Sequence, residues 1–136
     1  MVHELTLQEI ASIMDNCYLK SKYSEFVIGD EELFRQLASG NSARRGYNIT
    51  STSGWDALLE DFRQCEIPVA DGEKAVVVIN PAEPVTTDML QRISEMCESK
   101  FANVQVFFLP DYKCDRLEKT TAVDCLTIVV YKPTTH

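Results

Sequence analysis

The apolar positions along the chain change from helical to strand spacing, and this change predicts the order of the elements. A first helix of about fourteen residues begins near Thr6, because apolar side chains then recur at the i, i+3, i+4 and i+7 positions of one face. These side chains are Leu7, Ile10, Ala11, Met14 and Cys17. Thr6 and Glu9 have the spacing of a capping box, in which each side chain bonds the other residue's backbone amide. The capping box fixes the predicted start of this helix.

The next part of the chain alternates short periodic pieces with polar ones. An extended piece over 25–28 precedes a short helix that Asp30 caps and Gly40 ends. Residues 39–54 are rich in polar residues and glycine and are expected to form a loop. A second long helix starts at or near Ser53, and its apolar face consists of Trp55, Leu58, Leu59, Phe62 and Cys65.

The last third of the chain contains the strongest strand signals. Residues 74–80 form a continuous apolar run, which is typical of a strand buried on both faces. Thr86 or Thr87 caps a following helix, and residues 104–109 form a strand parallel to the first. After a loop over 110–121, residues 122–131 return as an antiparallel partner. The predicted fold is α/β, a small mixed sheet with a β-α-β unit, a C-terminal β-hairpin and helices packed on it.

Size and charge narrow the classes of protein to which the chain can belong. A length of 136 residues predicts a single domain over 1–136. The formal net charge is -8, so the chain's field repels phosphate backbones and anionic lipids. We therefore expect no nucleic-acid and no membrane partner. The first residues lack the apolar segment of a secretory leader, so an acidic, cytoplasmic protein is expected.

The residue types that carry most enzyme and metal chemistry are sparse. The five cysteines contain no CxxC pair, and the two histidines, His3 and His136, lie near the ends, where we expect mobility. The glycines never take phosphate-loop spacing. We predict no catalytic residue, no metal site and no cofactor, and we interpret Cys114, in a polar segment, as an exposed bystander thiol.

One ligand crevice is predicted from the β-α-β unit. Ligands of open α/β sheets sit beyond the carboxyl ends of parallel strands. The side chains at that end are Asn80, Glu83, Thr86, Thr87, Pro110 and Asp111. The amides at the start of the following helix favour an anion, whereas the nearby acids oppose one. The crevice is therefore a secondary hypothesis.

The order of these segments resembles the C-terminal half of FtsZ, the bacterial tubulin homologue. The likeness is carried by 4–14, by 53–59 with 71–80, and by 80–87 with 102–104 and the final strand. In that family a loop before the first helix supplies an Asn and two acids to the GTPase site of the next subunit. By position the second acid matches Glu9, whereas Glu4 and Thr6 replace the other two. The family's nucleotide-binding half has no counterpart here.

The resemblance implies a non-enzymatic protein interaction or assembly domain. Its partner would be a tubulin-like GTPase or further copies of the chain, and its contact surface would include the first helix, 39–54 and 110–121. The side chains expected to contact the partner are Glu9, Arg44, Arg45 and Trp55. The alternative is a small acidic adaptor, or a secretion-type chaperone, that holds a client segment in a groove or at a β-edge. An enzyme that uses carboxylates or Cys114 ranks last.

Overall fold

The part of the chain that the structure describes forms one five-stranded sheet with four helices. The structure is a computed structural model and describes residues 1–23, 30–39, 44–82, 84–109 and 124–133. The strands are β1 (Val2–Leu5), β2 (Arg44–Thr50), β3 (Lys74–Asn80), β4 (Val104–Phe108) and β5 (Cys125–Tyr131). The helices are α1 (Leu7–Tyr23), α2 (Glu31–Ala38), α3 (Trp55–Gln64) and α4 (Thr87–Lys100).

The strand order in the sheet is β1-β2-β5-β3-β4. β3 and β4, which α4 connects along the chain, are parallel neighbours in the sheet. Every other neighbouring pair is antiparallel. The mixed α/β class and the β-α-β unit are thereby confirmed. The predicted C-terminal β-hairpin is wrong, because β5 pairs with β2 and β3 and is not a neighbour of β4 in the sheet. An apolar run as continuous as that of β5 is typical of a central strand, which is covered on both faces.

The helices cover both faces of the sheet, so the fold has three layers. Alternate residues of a strand point to opposite faces, and β3 divides its apolar side chains accordingly. Ala75, Val77 and Ile79 pack with α3 and α4 on one face, here called face A. Val76 and Val78 pack with α1 and α2 on the opposite face, face B. This two-sided burial is the one expected from the continuous apolar run of β3.

The first two helices begin at their predicted caps. The Thr6 hydroxyl accepts a hydrogen bond from the Glu9 amide at 3.1 Å, and Glu9 Oε1 accepts one from the Thr6 amide at 2.9 Å. Helix α1 then continues to residue 23, beyond its predicted length. Asp30 Oδ1 accepts from the Leu33 amide at 3.0 Å and caps α2. Both capping predictions are confirmed.

The caps of the other two helices differ in how well the sequence predicted them. Helix α3 starts at Trp55, with Gly54 as its N-cap at a φ of 93°, whereas the prediction placed the start at or near Ser53. A positive φ is a conformation that glycine adopts at little cost, so the turn before α3 takes Gly54. Helix α4 is capped by Thr86, whose hydroxyl accepts from the Met89 amide at 3.2 Å, and Thr87 is its first residue.

Two strands occupy positions where the sequence analysis placed a loop and a mobile terminus. Residues 44–50, expected to lie in the polar loop over 39–54, form β2 next to the central β5. His3, expected to be mobile, lies in β1 and pairs with Asn48. Gly46 lets α1 approach β2, because a Cβ atom there would lie 2.8 Å from Ile10 Cγ1. In β2 only Gly46 and Ile49 are buried, so its sequence lacks an apolar run.

Several predictions concern residues outside the described ranges. They are the extended piece over 25–28, the helix end at Gly40, the loop over 110–121, and the positions of Glu83, Pro110, Asp111 and Cys114. They remain predictions.

Candidate functional site

Glu9 is held by the start of its own helix. Both of its capping-box bonds are made with Thr6, and His3 Nε2 lies 3.9 Å from its other carboxylate oxygen. The hydrogen bond from the Thr6 amide, then that of the Thr6 side chain, lowers the pKa of Glu9 below its ordinary value. The side chain is nevertheless half exposed. Its structural role is therefore clear, and a contact with a partner stays a prediction.

Arg45 joins strand β2 to the loop that precedes β3. Its two terminal nitrogens donate to the two carboxylate oxygens of Glu73, each at 2.9 Å, and Nη2 also donates to the Pro68 carbonyl. Glu73 Oε1 accepts a further bond from the Ala70 amide at 2.7 Å. Hydrogen bonds from Arg45, then from the Ala70 amide, lower the pKa of Glu73. Arg45 thus binds within the chain, in a geometry that the sequence did not predict.

The other two predicted contact residues lie in different parts of the fold. Arg44 is half-buried at the start of β2, opposite Tyr131 of β5. Trp55 is half-buried at the start of α3 and packs against the apolar cluster of face A. Trp55 therefore packs against the core, and its contact with a partner stays a prediction. The four predicted side chains do not converge on one described site.

The predicted crevice residues that the structure describes also make bonds within the chain. Asn80 Nδ2 donates to the Leu109 carbonyl at 2.8 Å, which ties the ends of β3 and β4 together. Thr86 caps α4, and Thr87 is exposed in its first turn. Asp111 lies outside the described residues. The crevice therefore stays a prediction.

Two clefts in the described part of the chain lie at the opposite end of the parallel strands. The larger, of about 490 Å³, is lined by Cys65, Glu66, Ile67, Pro68, Lys100 and Phe101. Lys100 Nζ donates to the Cys65 carbonyl at 2.8 Å and lies 5.4 Å from the centre of the Phe62 ring. Both contacts fix the lysine as part of the wall. A second cleft, of about 260 Å³, lies where β3 and β4 begin.

The structure describes four cysteines, of which Cys65 and Cys97 are free thiols. Cys17 and Cys97 are buried, and Cys65 and Cys125 are half-buried. Burial raises the pKa of Cys97 to about 12 and, with a smaller opposing effect from Lys100, raises that of Cys65. A raised pKa keeps a thiol protonated near neutral pH and lowers its reactivity. The environments of Cys65 and Cys97 are thus those of structural thiols and not of reactive ones.

The two edges of the sheet differ in a way that the sequence analysis did not recognise. The β1 edge is four residues long and carries His3 and Glu4, and the Met1 ammonium at its start is bonded to the Thr50 carbonyl at 2.8 Å and to Asp61. Short, charged edges resist pairing with another chain. The β4 edge reads VQVFF and has no ionisable side chain. Of the two, β4 is the edge suited to accept a further strand.

The hydrogen bonds of β4 show which of its backbone groups face outward. The Asn103 carbonyl accepts from the Ala75 amide at 2.9 Å, and the Leu109 amide donates to the Ile79 carbonyl at 2.9 Å. Every second residue from Asn103 to Leu109 therefore bonds β3 through its backbone. The backbone amides and carbonyls of the residues between them point away from β3. The outward amides and carbonyls belong to Val104, Val106 and Phe108. No described strand pairs with them.

The side chains along this edge are apolar and partly exposed. Val104, Val106 and Phe108 are half-buried against face A, and Phe107 is half-buried on face B, with its ring 4.9 Å from that of Phe34. Gln105 is exposed. A strand added here would cover apolar surface and pair the outward backbone groups at the same time. The sequence signal for such an edge is the uncharged VQVFF run beside a more apolar neighbour.

The described residues contain neither a metal-binding cluster nor a membrane-spanning helix. Within the described ranges, no three histidine, cysteine or carboxylate side chains lie together as a group that could hold a metal ion. None of the described helices has the length and apolar character needed to cross a membrane. Comparisons with protein-family models, with curated proteins and with solved structures returned no match.

Proposed function

We propose that this chain is a non-enzymatic protein interaction or assembly domain that works through the outer edge of β4. One observation carries the proposal: β4 presents three outward pairs of backbone amide and carbonyl groups in a run without a charged side chain. Unpaired, uncharged edges are templates for strand addition, and natural proteins normally block the edges that they do not use. The opposite edge, β1, is short and charged.

The resemblance to the FtsZ C-terminal domain supports an assembly role and names a class of partner. The resemblance rests on the order helix, polar stretch, helix, strand, helix, strand, long hairpin and strand. The elements α1, α3, β3, α4, β4 and β5 follow that order, whereas β2 lies in the polar stretch and β5 is not a hairpin partner of β4. A filament-forming, tubulin-like GTPase is therefore one candidate partner, and further copies of the chain are another. Cys65 and Cys97 are free thiols, which favours the reducing cytoplasm as the place where the domain works.

The test compares three baits in affinity capture from the source cell's lysate. The baits are the wild-type chain, Val106→Pro and the matched control Val106→Ala. Proline removes the outward N–H of position 106, whereas alanine keeps it. We expect a partner that the wild type and Val106→Ala retain and Val106→Pro loses. Retention of the same proteins by all three baits would overturn the proposal.

An edge-dependent partner is one that Val106→Pro loses and Val106→Ala retains. Its identity distinguishes the assembly domain from the adaptor. A filament-forming GTPase would support the assembly domain. The adaptor alternative is favoured by the same free edge, because an extended client segment binds by strand addition. If the adaptor hypothesis is correct, a short peptide from the captured client should displace that client from the bait. If the assembly hypothesis is correct, a short peptide from the captured partner should not displace the folded partner.

A further inference from the structure

We propose that a second copy of this chain occupies the β4 edge, paired antiparallel with a two-fold axis at Val106. The inference rests on the proposed function and specifies its partner. The two sheets would join into one continuous sheet of ten strands, twice the five in one chain. The axis makes the contact isologous, which is the commonest arrangement of homodimers.

Charge is the first argument for a second copy. Each chain has a formal net charge of -8, so two copies repel one another over most approaches. The repulsion is smallest where the facing surfaces carry no charge. Of the two edge strands, β1 contains Glu4 and a histidine, and β4 contains neither acid nor base. The β4 edge is therefore the end of the sheet at which two acidic copies can pair.

Backbone geometry is the second argument. In an antiparallel pair, residues that face each other and exchange both hydrogen bonds alternate with residues that do not. The outward groups of β4 belong to Val104, Val106 and Phe108, which also alternate. An axis at Val106 pairs Val106 with itself and Val104 with Phe108 of the second copy. Every outward amide and carbonyl of the strand then has a partner.

The side chains suit the same register. On face A, the small Val104 of each copy lies opposite the large Phe108 of the other, so two bulky rings do not face each other at the contact. On face B, Gln105 lies opposite Phe107, and neither side chain is charged. Cross-strand pairs of aromatic and β-branched residues stabilise antiparallel sheets. The five-residue edge is thus compatible with itself.

The expected association is weak and depends on concentration. One five-residue strand buries less surface than a standard, stable interface, so the contact belongs to the transient class. The dimer should therefore form over a range of protein concentration, on the order of micromolar to hundreds of micromolar.

Sedimentation of the purified chain across that range tests the inference. We expect the mass to rise from 15.4 kDa towards twice that value for the wild type and Val106→Ala. Val106→Pro should stay monomeric, with at least about a tenfold weaker association. Circular dichroism checks that it is folded. If it is not, Val104→Pro against Val104→Ala makes the same comparison at the first residue of the strand, where proline is tolerated.

Two results would overturn the inference, and the first separates it from the proposed function. The first is a wild type that stays monomeric at every concentration. If the Val106→Pro bait nevertheless loses a partner in affinity capture, the edge binds a different protein and the proposed function stands. The second is a dimer that persists in the folded proline variant. That dimer forms elsewhere on the chain, and the β4 pairing is then wrong.

Discussion

Arg45 and Glu73 form two parallel hydrogen bonds, both 2.9 Å long, between strand β2 and the residue before β3. The Glu73 side chain is only 11% exposed, and its Oε1 also binds the Ala70 amide. Paired guanidinium and carboxylate groups of this geometry are stronger than ordinary surface ion pairs. The contact holds the loop over 65–73 against the end of the sheet.

Glu73→Gln should destabilise the fold. The substitution removes the negative charge and one of the two acceptor oxygens. The half-buried Arg45 then loses one of its two hydrogen bonds to residue 73 and the opposite charge. We expect the free energy of unfolding in urea to fall by about 1–2 kcal/mol. Asp71→Asn, the same chemical change at an exposed position of the same loop, is the control and should have little effect. Equal losses in the two variants would contradict the account of this contact.

The same pair predicts a dependence on pH. Glu73 has a pKa below its ordinary value of 4.5 in the folded chain, because Arg45 and the Ala70 amide bond its charged form. The stabilisation is therefore complete above about pH 4.5 and is lost as the pH falls through the lowered pKa. The difference in unfolding free energy between the wild type and Glu73→Gln should shrink over that interval. A difference that stays constant down to pH 2.5 would contradict the lowered pKa.

The capping box of α1 gives a prediction for Thr6. Thr6→Ala removes the hydroxyl that accepts from the Glu9 amide and keeps the Thr6 amide that donates to the Glu9 carboxylate. We expect a loss of about 1 kcal/mol in the free energy of unfolding. Ser12→Ala, at an exposed position inside the same helix, should be neutral or slightly stabilising because alanine favours helix. If both variants lose the same stability, the capping box is not what fixes the start of α1.

The parity of β4 predicts that proline is tolerated at alternate positions. Gln105 bonds β3, because it shares the parity of Asn103 and Leu109, whose bonds to β3 are present. Gln105→Pro should therefore lower the unfolding free energy by about 1–3 kcal/mol more than Val106→Pro, since only the former leaves a β3 carbonyl unpaired. Urea unfolding of both variants measures the difference. If Val106→Pro loses more stability than Gln105→Pro, then Val106, and not Gln105, bonds β3.

The sequence predicted those elements whose burial is periodic and uninterrupted. Helix α1 was predicted from its apolar face and its capping box. Strand β3 was predicted from its continuous apolar run, and the five residues 75–79 of that run are all buried. The position of β5 was not recognised. Its run from Leu126 to Tyr131 is as buried as β3, which indicates a central strand, whereas β4 contains the exposed Gln105. That difference between the two strands was the available signal against a hairpin.

The remaining features depend on contacts between distant residues. Strand β2 buries only Gly46 and Ile49, because Arg44, Arg45 and other polar side chains fill most of its positions. Local sequence therefore resembles a loop, and the strand forms because β5 lies beside it. Arg45 and Glu73 are 28 residues apart, so no spacing rule joins them. The capping role of Glu9, in contrast, is local and was predicted.

Amide hydrogen exchange along β4, followed by NMR at rising protein concentration, tests the central claim most directly. In dilute protein the account predicts fast exchange at Val104, Val106 and Phe108 and slow exchange at Gln105 and Phe107. At high concentration, or with an edge-dependent partner, the three outward amides should become protected as well. Protection of all five amides at the lowest concentration would show that the edge is already covered within the chain. Fast exchange of the outward amides under every condition would show that no partner uses it, and either result would contradict the account.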